Sequence, residues 1–259
     1  MIPHEAGPLI ALLSDFGGRD AYAGIMKGVI LGRCPRARIV DLGHEIPPGD
    51  VRAAAFQLRS ALPYFPEGTL FVCVVDPGVG SDREIVFVRG RRHRYLAPDN
   101  GLLGPALEID APREARLLRD PSLRLKPLSR TFHGRDIFAP AAAALAGGAP
   151  PASLGPRAGK LVRMRLPRPR RRGNSVVGEV LAVDRFGNAI TNLTPRDLGR
   201  RRRLRAMERG FPLRTHYAQA RPGQALALVG STGFVELSIR DGDLGALTGA
   251  GIGEAVYAD

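Results

Sequence analysis

The stretch from Leu9 to Gly18 reads LIALLSDFGG. Its first five residues are apolar without interruption, which is typical of a buried strand. Ser14 to Gly18 then form a polar, glycine-containing loop. The residues from Tyr22 to Leu31 follow with the spacing of a helix. This opening predicts a strand that delivers an acidic loop, followed by a helix that packs back onto the strand.

The same alternation continues along the chain. Ile39 to Leu42 predict a second strand, residues 51–62 a helix, and Thr69 to Val75 a third, fully buried strand. Strands that alternate with helices indicate an α/β domain with a largely parallel central sheet. Two further features extend that domain, namely a hairpin formed by residues 85–88 and 95–97 and a helix over residues 137–145.

The pattern changes after a segment rich in Gly, Pro and Arg, residues 147–173. Beyond it lie short strand-like segments separated by turn residues, without helical periodicity between them, which favours a small β-barrel or sandwich. The sequence therefore predicts an N-terminal α/β domain over residues 1–150, a linker over residues 151–172 and a C-terminal β domain over residues 173–259.

The composition restricts the class of protein. The 259 residues carry a formal charge of +13, and much of the excess lies in two arginine runs, residues 168–172 and 200–205. No aromatic residues are interleaved there for base stacking, so the runs favour solvated surface over nucleic-acid binding. Two cysteines exclude a disulfide framework, and Cys73 reads as a buried apolar residue. Without a signal-like or membrane-spanning run, we expect a soluble cytoplasmic protein.

Three acid-bearing loops follow predicted strands, and strand ends in α/β sheets are where ligands usually bind. An Asp beside Gly also closes turns through its own backbone, so each loop alone favours a structural role. Three in one chain weaken that interpretation. The glycine spacing after Asp76 matches neither a P-loop nor a dinucleotide fingerprint. The loops begin at Asp15, Asp76 and Asp184.

A histidine stands between an aromatic residue and a glycine in the segment TFHGRD, residues 131–136. A lone histidine is more often structural, but His133 has unusual neighbours for that role. The chain contains neither an H-x-x-x-H nor an H-E-x-x-H spacing, and a G-x-S-x-G nucleophile elbow is also absent. We therefore expect neither a metal site nor a serine hydrolase.

Taken together, five motifs in this order resemble the S-adenosyl-L-methionine hydroxide adenosyltransferase family, which is related to the fluorinase and chlorinase enzymes. The resemblance extends from about Leu9 to Ile239. It implies an N-terminal α/β domain, a C-terminal β-barrel and a homotrimer with active sites at subunit interfaces. The motifs are SDFG with Asp20, VDPGVG with Arg83, APDNG at residues 97–101, FHGRD, and DRFGN at residues 184–188 with Thr191 and Asn192.

The resemblance implies hydrolysis of S-adenosyl-L-methionine to adenosine and L-methionine, by attack of an activated water at the ribose C5′. The sulfonium leaves as neutral methionine, so the reaction depends mostly on a positioned, partly deprotonated water and needs no cofactor. By motif position the catalytic residues are Asp76, Arg83 and His133. Asp76 and His133 would accept the proton or orient the water, while Arg83 would keep Asp76 ionised.

The resemblance also assigns substrate-binding residues. Asp15 would bind the ribose hydroxyls, Phe186 would stack on the adenine, and Asn188 would hydrogen-bond to it. The remaining assignments are Asp20 and Asp184 to the methionine ammonium, Ser231 to the methionine end, and Glu236 with the backbone around Ile239 to the nucleoside.

Three alternatives remain open. The halogenase branch of the superfamily carries a Tyr where Asp76 stands, and the fluorinase carries a halide-contacting Ser where Gly134 stands. A carboxylate at Asp76 would repel a halide. The net charge permits a basic nucleic-acid-binding protein, which would bind with a steep salt dependence. A non-catalytic nucleoside-binding module would bind adenosine without turnover.

Overall fold

The computed structural model describes residues 7–259. The chain divides into two compact units between Arg165 and Leu166. This point falls inside the predicted linker. The linker segment is not devoid of structure, because it contains a short 3-10 helix, Pro151–Leu154, and a strand, Arg170–Arg172.

The N-terminal unit is built on a six-stranded sheet with the order β2-β1-β3-β5-β4-β6. The first four strands in this order are parallel, and β4 runs antiparallel to both β5 and β6. The predicted largely parallel sheet and its added hairpin are thus confirmed. The strands are β1 Leu9–Ser14, β2 Arg38–Gly43, β3 Leu70–Val74, β4 Ile85–Arg89, β5 Arg94–Pro98 and β6 Glu114–Leu117.

Helices cover both faces of this sheet. Ile10 and Leu12 pack on one side with Met26 and Phe138, whereas Ala11 and Leu13 belong to a second core on the other side. Because successive side chains of β1 enter different cores, the strand reads as a continuous apolar run. The helices are α1 Tyr22–Arg33, α2 Val51–Ala61, α3 Gly104–Ile109 and α4 Ala139–Ala146, the last preceded by a π-helical turn, Gly134–Phe138.

The C-terminal unit is an antiparallel sheet with the strand order β11-β10-β14-β8-β9-β13-β12, with β7 beside β8. Its two ends approach each other, since Arg214 N donates to Ala227 O at 2.7 Å. The predicted C-terminal barrel is therefore confirmed as a nearly closed sheet. Its strands are β7 Arg170–Arg172, β8 Ser175–Val183, β9 Ala189–Thr191, β10 Arg203–Ala206, β11 Arg209–Pro212, β12 Ala225–Val229, β13 Val235–Ile239 and β14 Ala255–Ala258, with α5 Pro195–Leu198 and α6 Leu244–Thr248 between them.

The C-terminal unit contains a strand that the sequence pattern did not predict. Strand β10 was not predicted because it lies within an arginine run, yet Leu204 and Ala206 are buried and alternate with exposed arginines. Cys73 is fully buried, as predicted. Over residues 7–259, no helix is both long enough and apolar enough to cross a bilayer.

Candidate active site

The loops that follow β1 and β3 meet at one edge of the N-terminal sheet. Because β1 and β3 are parallel neighbours, their carboxyl ends bring Asp15 and Asp76 to the same place. His133 comes to this edge from the segment that precedes the π-helical turn. The three side chains share a cavity of about 210 Å3, whose walls are completed by Phe16, Val74, Val79, Thr131, Phe132 and Gly134.

Arg83 joins Asp76 to His133. Its Nε donates to Asp76 Oδ1 at 2.9 Å and to Oδ2 at 2.7 Å, and its Nη2 also donates to Oδ2. The same Nη2 lies 2.8 Å from His133 Nδ1. The Asp76 side chain is only 6% exposed and that of Arg83 only 13%. The structure thus assembles the three predicted catalytic residues into one hydrogen-bonded set, although they span 58 positions of the chain.

The contact with Arg83 defines the protonation of His133. A guanidinium only donates hydrogen bonds, so His133 Nδ1 must accept, and the proton of the neutral ring is on Nε2. Burial, and then the positive charge of Arg83, lower the pKa of His133 below its ordinary value. Asp76 and Asp136 oppose this shift, but the direction agrees with the hydrogen-bond geometry. His133 therefore presents an Nε2–H donor and has no open nitrogen for a proton.

Asp15 is held by a second loop. Its Oδ2 accepts a hydrogen bond from Gly49 N at 2.8 Å, and Gly49 has a positive φ of 72°, which glycine adopts at little cost. Asp20, by contrast, is exposed and lies outside the residues that line the cavity. The structure places Asp15 beside the catalytic set and does not bring Asp20 to it.

Aromatic rings form one wall of this cavity. Phe16 and Phe132 lie 5.8 Å apart edge to face, and Tyr22 lies 5.0 Å from Phe132. Gly134 is packed against this wall, because a Cβ added there would lie 3.0 Å from Met26 Sδ and 3.1 Å from Phe16 Cζ. Sequence reasoning did not identify this cluster, since the contributing residues are far apart in the chain.

The C-terminal unit has its own cavity of about 630 Å3, and three predicted binding residues line it: Phe186, Asn188 and Ile239. Phe186 is 75% exposed, so its ring is available for stacking. The remaining lining residues, Tyr217, Ala218, Arg240, Asp241 and Gly242, were not predicted. Ser231 lies in the exposed turn between β12 and β13, outside this lining.

Asp184 closes the loop that carries Asn188. Its Oδ1 accepts from the backbone nitrogens of Phe186 and Asn188, both at 2.9 Å, and its Oδ2 accepts from Asn188 Nδ2 at 3.0 Å. A carboxylate only accepts, so the amide nitrogen of Asn188 must face Asp184. The Oδ1 of Asn188 therefore points the other way, as a fixed hydrogen-bond acceptor.

Tyr217 connects this loop to a buried acid. Its hydroxyl lies 3.5 Å from Asn188 Nδ2 and donates to Glu236 Oε1. Burial raises the pKa of Glu236, although the hydrogen bond from Tyr217 acts in the opposite direction. Burial and the bond to Glu236 raise the pKa of Tyr217 to about 12. Tyr217 begins a short 3-10 helix, Tyr217–Gln219, and nothing in its local sequence indicated a role.

Arginines of the second run, residues 200–205, make structural contacts, whereas those of the first run are exposed. Arg205 forms an ion pair with Asp259, and Arg201 donates to the carbonyl of Leu198 at 3.3 Å. The side chains of β7, Arg170–Arg172, are exposed. Within residues 7–259, His, Cys, Asp and Glu side chains do not form a group of three or more that could hold a metal ion.

Comparison with known families gives matches over both units. Residues 10–155 match the SAM hydroxide adenosyltransferase N-terminal domain, and residues 178–257 match the C-terminal domain of the same family. An (R)-S-adenosyl-L-methionine hydrolase from Thermus thermophilus is 44% identical over 248 residues, covering 90% of this chain and 92% of the relative. A protein of the same name from Salinispora tropica is 37% identical, covering 95% and 96%.

More distant relatives and solved structures agree. A fluorinase from an Actinoplanes species is 29% identical, covering 92% of each chain. The crystal structure of an uncharacterised conserved protein from Thermotoga maritima superposes with a TM-score of 0.89 at 33% identity, covering 96% of this chain and 98% of that one. The crystal structure of a conserved hypothetical protein from Thermus thermophilus gives a TM-score of 0.80 at 40% identity, covering 97% and 100%.

Proposed function

The chain belongs to the S-adenosyl-L-methionine hydroxide adenosyltransferase family, and we propose that it hydrolyses S-adenosyl-L-methionine to adenosine and L-methionine. One observation carries the proposal: Asp76, Arg83 and His133 form a single hydrogen-bonded set beside Asp15 in one cavity. Relatives named as S-adenosyl-L-methionine hydrolases, up to 44% identical to this chain, support the same activity.

The proposed reaction needs one water and no external acid. The water oxygen attacks C5′ of the ribose while the C5′–S bond breaks. The electron pair of the broken bond remains on sulfur, which leaves as neutral methionine. His133 Nε2–H orients the water by donating to its oxygen, and the Asp76 carboxylate accepts the departing proton. Arg83 keeps both groups in place through its fork of donors.

The hydrolase branch fits better than the halogenase branch. A halide in this cavity would lie beside the Asp76 carboxylate, where two negative charges repel each other. The Cβ of the serine that the fluorinase carries at the position of Gly134 would here lie only 3.0 Å from Met26 Sδ and 3.1 Å from Phe16 Cζ. The packing around Gly134 supports water rather than halide as the nucleophile.

For the substrate, we assign Asp15 to the ribose hydroxyls and the cavity of the C-terminal unit to the adenine. Phe186 would stack on the base, and the fixed Oδ1 of Asn188 would accept from the 6-amino group, which favours adenine over a 6-oxo purine. Glu236 and Ile239 complete the nucleoside assignment. The methionine end is assigned to Asp20 and Ser231, whereas Asp184 acts mainly by holding Asn188, because its oxygens already accept hydrogen bonds from its own loop.

The proposal extends to the assembly and its setting. We propose a homotrimer with active sites at subunit interfaces, acting in the cytoplasm on a small-molecule substrate. It needs no metal or organic cofactor, and neither nucleic acid nor membrane is a partner. Mixing an inactive N-terminal variant with an inactive C-terminal variant should restore some activity, because a few hybrid sites would combine two intact halves. An active monomer in light scattering would contradict the shared site.

The direct test is to incubate the purified protein with S-adenosyl-L-methionine and follow the products by chromatography. We expect adenosine and methionine in equal amounts. Bound adenosine without turnover would instead identify a nucleoside-binding module. Tight, steeply salt-dependent binding of generic RNA without hydrolysis would favour the nucleic-acid alternative.

A further inference from the structure

A second polar cluster lies next to the cavity and does not line it. Ser14 Oγ is 2.7 Å from His44 Nδ1, and His44 Nε2 is 3.0 Å from Asp41 Oδ1. Lys27 Nζ donates to the other oxygen of Asp41 at 2.6 Å. Ser14 ends β1, Asp41 belongs to β2, His44 follows β2 and Lys27 lies on α1. The chain of contacts thus ties three elements of the fold together.

The order serine, histidine, aspartate suggests a nucleophilic triad, but the surroundings of Ser14 exclude that role. Ser14 is only 2% exposed, and its hydroxyl accepts a hydrogen bond from Phe16 N at 3.4 Å. Asp41 accepts from His44 Nε2, so the ring proton is there, and Nδ1 accepts from the Ser14 hydroxyl. Because Ser14 is buried and does not line the cavity, its hydroxyl cannot reach a substrate, and the cluster supports structure.

The charge of the cluster is compensated locally. Burial alone would raise the pKa of Asp41, but hydrogen bonds from Lys27 and His44 lower it below its ordinary value. Asp41 remains an anion that holds the His44 ring in one orientation, because a charged acceptor gives a stronger hydrogen bond than a neutral one.

The same segment also holds the loop after β1 through the backbone. His44 O accepts from Gly17 N at 2.7 Å, and Gly49 N donates to Asp15 Oδ2 at 2.8 Å. Together with the contact between Ser14 and the His44 ring, these bonds connect residues 44–49 to residues 14–17 at three points. The three points are Ser14, Asp15 itself and Gly17. Of these three contacts, the His44 side chain makes the one to Ser14, and its backbone carbonyl makes the one to Gly17.

We propose that His44 is a positioning residue, whose ring, fixed by Asp41 and Lys27, anchors the loop after β1 at Ser14 and so aims the Asp15 carboxylate into the cavity, while its backbone carbonyl holds Gly17. The inference deepens the proposed function, since Asp15 is assigned there to the ribose hydroxyls. The Asp15 carboxylate would contact the ribose hydroxyls in both the substrate complex and the transition state. A misplaced Asp15 should therefore raise KM and leave kcat nearly unchanged.

The kinetic test compares His44→Leu with His44→Asn, whose amide can still accept from Ser14. We expect KM to rise about tenfold in His44→Leu and about threefold in His44→Asn, as for the loss of one or two modest hydrogen bonds, with kcat within about twofold of wild type. Ser153→Ala is the control variant, because the Ser153 hydroxyl donates to the nearby Pro150 O and its loss should leave KM equal to that of wild type. Equal effects of His44→Leu and His44→Asn, or a loss confined to kcat, would overturn the proposal.

A double-mutant cycle separates positioning from general structural support. If His44 acts through Asp15, adding His44→Leu to Asp15→Asn raises KM by less than about twofold beyond Asp15→Asn alone. Fully multiplicative effects would show that His44 acts elsewhere.

A readout without substrate distinguishes failure of this inference from failure of the proposed function. Hydrogen exchange followed by mass spectrometry should show faster exchange at residues 14–18 and 45–50 in His44→Leu, and unchanged exchange in β3. If the wild-type protein did not hydrolyse S-adenosyl-L-methionine while this local change occurred, the function would fail and the positioning would stand. Unchanged exchange at both segments would refute the positioning itself.

Discussion

Replacing Asp76 by Asn removes one negative charge from the centre of the candidate active site and keeps the shape of the side chain. Asp76 is the group to which the proposed reaction transfers the water proton, and its side chain is 6% exposed. The neutral amide cannot accept that proton at a useful rate. It also turns an NH2 group toward Arg83, which itself offers only donors.

The expected loss in kcat follows from the usual contribution of a positioned acid or base. Such groups contribute about 10²–10⁴-fold, and at about 1.36 kcal/mol for each factor of ten this is about 2.7 to 5.4 kcal/mol of transition-state stabilisation. Adenosine affinity should change by less than about threefold, because the assigned base and ribose contacts do not include Asp76.

The assay measures kcat by adenosine release and the adenosine Kd by calorimetry, for Asp76→Asn and for Asp82→Asn. Asp82 is an exposed aspartate in the same loop, so it controls for the loss of one negative charge nearby. Because removing one partner of a buried ion pair also costs stability, the Tm of each variant is recorded. A folded Asp76→Asn protein that kept more than about a tenth of wild-type turnover would refute the assigned role.

Three further predictions address the surrounding structure. Tyr217→Phe removes the hydroxyl that bonds Glu236, so calorimetry should show adenosine Kd rising about threefold to tenfold and the preference over inosine shrinking; an unchanged preference would contradict the role of Tyr217. Burial lowers the pKa of His93, with Asp110 opposing, so the unfolded state binds protons first as the pH falls below about 6.5 and the folded state loses stability. In denaturant unfolding, the free energy of unfolding should therefore decrease less between pH 7.5 and 5.5 in His93→Phe than in wild type. An equal decrease in both proteins would contradict this role of His93. Gly134→Ser should lower stability by about 1 to 3 kcal/mol through overpacking against Phe16, and a Tm equal to wild type would mean that the site has room for a side chain.

The parts of the fold that sequence could predict are those with a strong local signal. The run from Leu9 to Leu13 is apolar because both faces of β1 are buried. This pattern can be recognised in the sequence without knowing which elements pack against the strand. Strand β10 carries arginines on its exposed face within a longer arginine run, so its alternation was hidden. A short strand such as β10, which lies between β11 and β14, depends on its pairing partners more than on its own composition.

The candidate site shows the same limit. The acid-bearing loops could be predicted because the end of a buried strand can be recognised from the sequence. The assembly of Asp76 with His133 was inferred only from the resemblance to the family. Tyr217 carried no local signal. His44 did carry one, since it follows Asp41 at the end of a predicted strand, and the same argument that selected Asp15 would have selected this segment. Its contacts with Ser14 nevertheless required the register between β1 and β2.

In the proposed reaction, water that is oriented by His133 and deprotonated by Asp76 attacks C5′ of the substrate. Hydrolysis in ¹⁸O-labelled water with added chloride or fluoride tests it directly by mass spectrometry of the products. We expect the 5′-oxygen of adenosine to be ¹⁸O, the methionine to be unlabelled and no 5′-halo-adenosine to form. Unlabelled adenosine, label in methionine or substantial 5′-halo-adenosine would contradict it.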